Sequence, residues 1–298
     1  MLSYSQIVTM QADPWEARPV LQAKSAPLLL LPALLALILT AGCAHRPAPE
    51  GPLLEEVDRA IETGDMVAAE RLLRRPLRDG DAEAQLRMAR IHAMGGPVLR
   101  RDDAQAREWY RRAAEQGLGT ARIELADLYV FGNHQEQQRN YVQAAWWYRQ
   151  AADAGDVVAA WALGRMYRQG LGVPQSDRDA AGWLRQAAEG GHVPAKAAYA
   201  WLLESGQGVT QDYGEALRWY RAAVDGGHAF ARLRIGDAYR SGAMGLEADA
   251  VKAHMWYNLS ATDGNSLARS RREQIAATMT PEEIARAQQM ARQRATAP

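Results

Sequence analysis

The sequence predicts an all-α protein, a solenoid of antiparallel helix pairs, and three observations predict it. Aromatic pairs recur: Trp109-Tyr110, Trp147-Tyr148, Trp183-Leu184, Trp219-Tyr220 and Trp256-Tyr257 are separated by 38, 36, 36 and 37 residues. A fixed period of about 20 to 50 residues marks stacked supersecondary units rather than one globular core. Each pair is followed at a nearly constant offset by small residues and a glycine, at Gly117, Gly155, Gly191, Gly227 and Gly264. Four residues after each glycine stands an alanine, at Ala121, Ala159, Ala195, Ala231 and Ala268, and from the first four of these a second apolar signature begins.

The chain opens on a segment read as a leader and not as fold. Ala26 to Leu39 is an apolar run of 14 residues that contains Pro32, too short for a membrane span of roughly 20 residues. Thr40-Ala41-Gly42-Cys43 follows it, and Cys43 is the only cysteine among 298 residues. A polar leader, a short apolar stretch and small residues before a cleavage point make a secretory signal. The stretch resembles a bacterial lipobox, with Thr40 in place of the preferred leucine. That resemblance implies cleavage before Cys43 and acylation of the cysteine. Several acyl chains anchor a protein stably where one does not. Ala44 stands where an aspartate would, by the same resemblance, signal inner-membrane retention, so an outer-membrane anchor facing the periplasm of a Gram-negative cell is expected. A start near Val20 or Leu21 would give a compact, positively charged leader, with residues 1–20 then untranslated. The leader 1–42 carries Asp13, Glu16, Arg18 and Lys24, so the net charge of zero is unchanged by its removal. That balance suggests neither nucleic acid nor an anionic lipid surface as partner. With its one cysteine used for lipid, the mature chain has no internal disulfide.

Residues 43–52, with Pro47, Pro49 and Pro52, read as a lipidated tether. Residues 53–83 read as an N-terminal capping helix pair turning at Gly64-Asp65, since a solenoid must hide its terminal apolar faces. From 84 to 264 run five repeats. After each signature alanine comes a large apolar residue four positions on (Leu125, Leu163, Tyr199, Ile235), then a small one (Ala126, Gly164, Ala200, Gly236), then Tyr129, Tyr167, Leu203 or Tyr239. Steps of four, one and three keep these side chains on one helical face. Gly132, Gly170, Gly206 and Gly242 then end the helix, where a left-handed residue costs least. The small residue lets the second helix approach closely. The repeat tryptophans, Trp183 and Trp219 among them, are expected to be largely buried between helices. Residues 265–298 read as C-terminal capping helices and a tail, with Thr280-Pro281-Glu282-Glu283 starting the last helix.

This pattern resembles the Sel1-like repeat, a relative of the tetratricopeptide repeat. Gly170-Leu171-Gly172-Val173 and Gly206-Gln207-Gly208-Val209 reproduce its loop, and Lys252-Ala253-His254-Met255-Trp256-Tyr257 its second helix. The resemblance implies a right-handed superhelical solenoid. It places on an inner wall, by first-helix register, Ile123, Asp127 and Val130; Trp161, Arg165 and Arg168; Ala197, Trp201 and Glu204; and Leu233, Asp237 and Arg240.

Catalytic chemistry is hard to find. Six histidines show no metal-ligand spacing, and His192 and His228 are simply the residue after the same repeat glycine. No nucleophile elbow, phosphate loop or dinucleotide fingerprint appears. Glu55-Glu56 and Glu282-Glu283 sit at helix starts, where acids favour the dipole. No catalytic residue, cofactor or metal is therefore assigned. Trp161, Arg165, Arg168, Trp201, Asp237 and Arg240 are the candidates for binding a protein partner, since Trp and Arg are enriched in binding hot spots. The expected function is a non-catalytic periplasmic scaffold lipoprotein, by fold-level analogy within an envelope or exopolysaccharide export complex. A glycan- or peptidoglycan-binding module is the alternative, with Trp161 and Trp201 stacking on sugars. A β-lactam-binding or hydrolysing enzyme is a third reading, though the chain lacks paired cysteines and any Ser-x-x-Lys motif.

Overall fold

The computed structural model describes residues 52–95, 100–131 and 139–296. Cys43, the leader, His45, the loop glycine Gly132 and His134 lie outside the described residues. Two helices, α1 (Pro52–Glu62) and α2 (Met66–Arg78), come first. Five helix pairs follow: α3 (Ala82–Met94) with α4 (Asp103–Glu115), α5 (Gly119–Phe131) with α6 (Tyr141–Asp153), α7 (Val157–Gln169) with α8 (Asp177–Glu189), α9 (Val193–Ser205) with α10 (Tyr213–Asp225), and α11 (Ala229–Ser241) with α12 (Ala250–Thr262). Helices α13 (Ser266–Ala276) and α14 (Pro281–Thr296) close the stack, both packed on α12. No strand occurs among the described residues, and no helix there is long and apolar enough to cross a membrane.

The repeat is written in its caps. Each second helix starts on a side-chain acceptor, at Asp102, Asn140, Ser176, Asp212 and Asp249, worth about 1 kcal/mol per cap. The backbone N–H of each of these residues also donates to a carbonyl of the preceding helix, at His92, Tyr129, Tyr167, Leu203 and Tyr239 respectively, at 2.8–2.9 Å. One orphan carbonyl per first helix is thereby satisfied, and the loop is pinned in the same place five times. The turn into the next repeat closes in the same way: the N–H of Leu118, Asp156, His192, His228 and Asn265 reaches back five residues to a helix carbonyl. This is the Schellman arrangement, and it requires the positive φ of the glycine just before.

Packing follows from the small residue of the first helix. A methyl built on Gly236 would lie 2.7 Å from Tyr257 Cε1, and one on Gly164 would lie 2.8 Å from Leu184 Cγ. The partner of the close approach is therefore the residue after the tryptophan. Tyr110, Tyr148, Leu184, Tyr220 and Tyr257 are all buried, the last two completely. The expectation for the tryptophans needs correction. Trp147 and Trp256 are buried, whereas Trp183, Trp219 and Trp109 are only half-buried. Adjacent helical residues point about 100° apart, and the crossing of the two helices aims the second of the pair at the core. Trp219 stays at the rim, where its indole N–H donates to Glu215 at 3.3 Å and its ring meets Tyr199 edge-on.

Candidate functional site: the first-helix wall

Successive first helices lie side by side, and their common face is laced by ion pairs. Arg90 on α3 grips Glu124 on α5, with Nε at 3.0–3.1 Å from both carboxylate oxygens. On the other flank Arg234 on α11 pairs with Glu204 on α9 and with Asp237 at 3.1 Å, and Arg271 on α13 pairs with the same Asp237. Core tyrosines hold the carboxylates from behind. Tyr220 donates to Glu204 at 2.7 Å, Tyr257 to Asp237 at 2.8 Å, and Tyr148 to Asp127. Burial and the neighbouring carboxylates raise the pKa of all three phenols, which keeps each hydroxyl a donor. Burial also raises Asp127, partly offset by the Tyr148 hydrogen bond.

The charged register of the other first helices is not repeated on α7 and α9. Glu124, Arg234 and Arg271 stand three residues after their signature alanines; at that register α7 carries Ala162 and α9 carries Ala198. A methyl cannot pair with a charge. Two cation–aromatic stacks stand here: Arg165 lies over Trp161 at 4.9 Å, and Arg168 reaches across to Trp201 on α9 at 6.0 Å. Such stacks are worth about 0.5 to 2 kcal/mol, more when desolvated. The Trp161 ring also meets the His192 ring, at 5.1 Å. Its indole nitrogen is buried and has no acceptor among the described residues. Burial holds Arg168 below the usual arginine pKa, despite Asp177 nearby. The step thus offers one buried donor, the Trp161 N–H, which an acceptor-bearing ligand would satisfy.

Of the candidates read from sequence, the structure brings Trp161, Arg165, Arg168 and Trp201 into one cluster. Asp237 is buried in the Tyr257–Arg234–Arg271 network on α11, and Arg240 is exposed in the last turn of that helix. Neither joins the cluster. Two participants lie outside the sequence-derived candidates. Arg234 needed the contact with Glu204, 30 residues away. His192 had a local signal, because it occupies the cap position that Asp81, Asp156 and Asn265 hold in other repeats.

Nothing in the described residues groups His, Cys, Asp or Glu as a metal site would. A shallow depression of about 270 Å³ lies on the second-helix side, lined by Arg178, Asp179, Gly182, Trp183 and Gln186, without a nucleophile–base pair.

Comparison with known proteins agrees with this architecture. A family model described as Sel1 repeat matches residues 82–118, 120–156, 157–192, 193–228 and 229–265. Among solved structures the chain is similar to a protective antigen of uropathogenic Escherichia coli displaying an SLR fold, at 30% identity and a TM-score of 0.65. The match covers 76% of this chain and 48% of that one, so this chain spans about half the length of that relative. It is also similar to a Sel1 repeat protein from Oxalobacter formigenes, at 27% identity and a TM-score of 0.65, over 81% of this chain and 97% of that one. A search of curated proteins finds no match.

Proposed function

The chain belongs to the Sel1 repeat family, and on that premise we propose that it is a non-catalytic scaffold whose protein partner docks on the first-helix wall at the step between α7 and α9. Proteins of this family are helical-repeat scaffolds and commonly protein-interaction modules. The observation that carries the choice of step is the pair of cation–aromatic stacks, Arg165–Trp161 and Arg168–Trp201, where α7 and α9 carry Ala162 and Ala198 at the register that is charged in α5, α11 and α13. A partner segment bearing carboxylates and main-chain carbonyls would meet both arginines and the Trp161 N–H. Glycan stacking fits less well, because a sugar needs an open indole face and Trp161 already has a guanidinium and an imidazole against it.

The scaffold is proposed to be held at the outer membrane through lipid on Cys43 and to act in the periplasm, within an envelope assembly. Support comes from the one cysteine of the chain, placed directly after an apolar leader. A Cys43→Ser variant should leave the outer-membrane fraction in detergent-free fractionation; unchanged fractionation would remove the anchor from the proposal.

The binding test is a Trp161→Ala and Trp201→Ala double variant, crosslinked in the intact envelope. Loss of a hot-spot aromatic costs about 2 kcal/mol or more, roughly 30-fold in affinity. The variant should keep its helical circular dichroism and lose most of its crosslinked partner. An unchanged crosslinking pattern moves the site elsewhere, and collapse of the helical signal shows that the two residues serve packing. Indole fluorescence quenched by purified oligosaccharide, with no protein captured, would favour the glycan alternative.

A further inference from the structure

Histidines cap two consecutive first helices. His192 Nδ1 accepts from the Ala195 N–H at 3.3 Å and starts α9; His228 Nδ1 accepts from the Ala231 N–H at 3.4 Å and starts α11. A neutral imidazole has one acceptor nitrogen, so this geometry assigns the ring proton of each histidine to Nε2. Protonation abolishes the acceptor, setting an N–H against the N–H it had satisfied and placing a cation at the positive end of the helix dipole. Asp81, Asp156 and Asn265 do the same job in other repeats with oxygens that remain acceptors over the range in which imidazole titrates.

We propose that His192 and His228 form an acid-labile pair of caps, which unties the first turns of α9 and α11 as the medium acidifies and loosens the wall around Trp161. The groups facing them support this. His192 has the Trp161 ring against it and only Asp156 as a favourable charge; His228 has Phe230 at 6.5 Å and His192 itself as a like-charged neighbour once protonated. Burial pushes both imidazoles down, His228 to about 4, with His192 adding to the effect. A histidine depressed in the folded state contributes stability that is present above the unfolded value of about 6.5 and is lost as pH falls towards the folded value. For His228 this makes opening of the α11 cap about 20-fold more favourable at about pH 5 than at about pH 7. The bearing on binding rests on the α7–α9 step being the docking surface, but the capping chemistry does not.

The test needs no partner. Hydrogen exchange of the full chain, corrected for intrinsic rates, compares the first turns of α9 and α11 with that of α7, which is capped by Asp156. Between about pH 7 and about pH 5, α9 and α11 should lose protection, α11 by about 20-fold, while α7 keeps it. The Trp161 indole resonance should shift with the His192 titration. In a His192→Asn and His228→Asn variant, the amide caps should make α9 and α11 as insensitive to pH as α7. Equal behaviour of the three helices in the wild type, persistence of the pH response in the variant, or imidazoles that titrate near 6.5 in the folded protein would each overturn the proposal. Imidazole titration is read in the wild-type chain, so it decides even if the variant fails to fold.

Discussion

The same substitution, glycine to alanine in a helix, should have opposite signs at two positions. In a helix interior alanine is favoured over glycine by about 1 kcal/mol. At Gly182 on α8 an added methyl meets nothing within 4 Å, so Gly182→Ala should stabilise by about 0.5 to 1 kcal/mol. At Gly236 on α11 the methyl would lie 2.7 and 2.8 Å from two ring carbons of Tyr257 and 3.3 Å from Trp256 Cβ. Carbon atoms prefer about 3.5–4.0 Å, so the ring must retreat by about 1 Å. It is poorly placed to do so: Tyr257 is completely buried, and its hydroxyl is tied to Asp237 at 2.8 Å. Overpacking of this kind costs about 1 to 3 kcal/mol, and straining a hydrogen bond to a charged acceptor adds up to about 1.5. Set against the propensity gain of about 1 kcal/mol, Gly236→Ala should destabilise by about 0 to 3.5 kcal/mol, with a midpoint of about 2. The assay is chemical denaturation followed by far-ultraviolet circular dichroism, with both variants and wild type side by side. A Gly236→Ala protein stabilised as much as Gly182→Ala, or a Gly182→Ala protein that is less stable than wild type, would refute the close-approach account of the repeat.

Two further outcomes follow from the packing. Tyr220→Ala, which empties a fully buried site, should cost about 3 to 5 kcal/mol, whereas Trp219→Ala should cost less, because the indole is only partly buried; equal shifts in the denaturation midpoint would contradict the assignment of the tyrosine as the core residue. Asp237→Ala would leave Arg234, Arg271 and the Tyr257 hydroxyl without their shared acceptor, a loss of about 3 to 5 kcal/mol, and a loss below about 1 kcal/mol would show that the network is ornamental to stability.

What the sequence determined by itself was everything that is local. The number of helix pairs and their glycine stops were legible because each depends on residues within about five positions of one another: Gly206 ending α9, Thr280 starting the last helix, and the A-A-x2-G step that becomes a Schellman turn at Gly191. The identity of the binding candidates on α7 and α9 was legible for the same reason, since register along one helix is fixed by 3.6 residues per turn. The cap role of His192 is equally local but not legible, because a histidine after a repeat glycine carries no sign of whether its Nδ1 accepts a backbone N–H.

Only the tertiary structure decided between neighbours that look alike in sequence. Trp219 and Tyr220 are both large, adjacent and aromatic, and periodicity cannot say which of two directions about 100° apart faces the core; the crossing of α9, α10 and α11 does, and it buries the tyrosine. The wall was decided in the same way. Arg90 with Glu124, Glu204 with Arg234 and Asp237 with Arg271 are 30 to 34 residues apart, so their pairing depends on how one repeat is seated on the next. That seating also brings Arg168 on α7 over Trp201 on α9, beside Ala162 and Ala198, which are unremarkable in sequence.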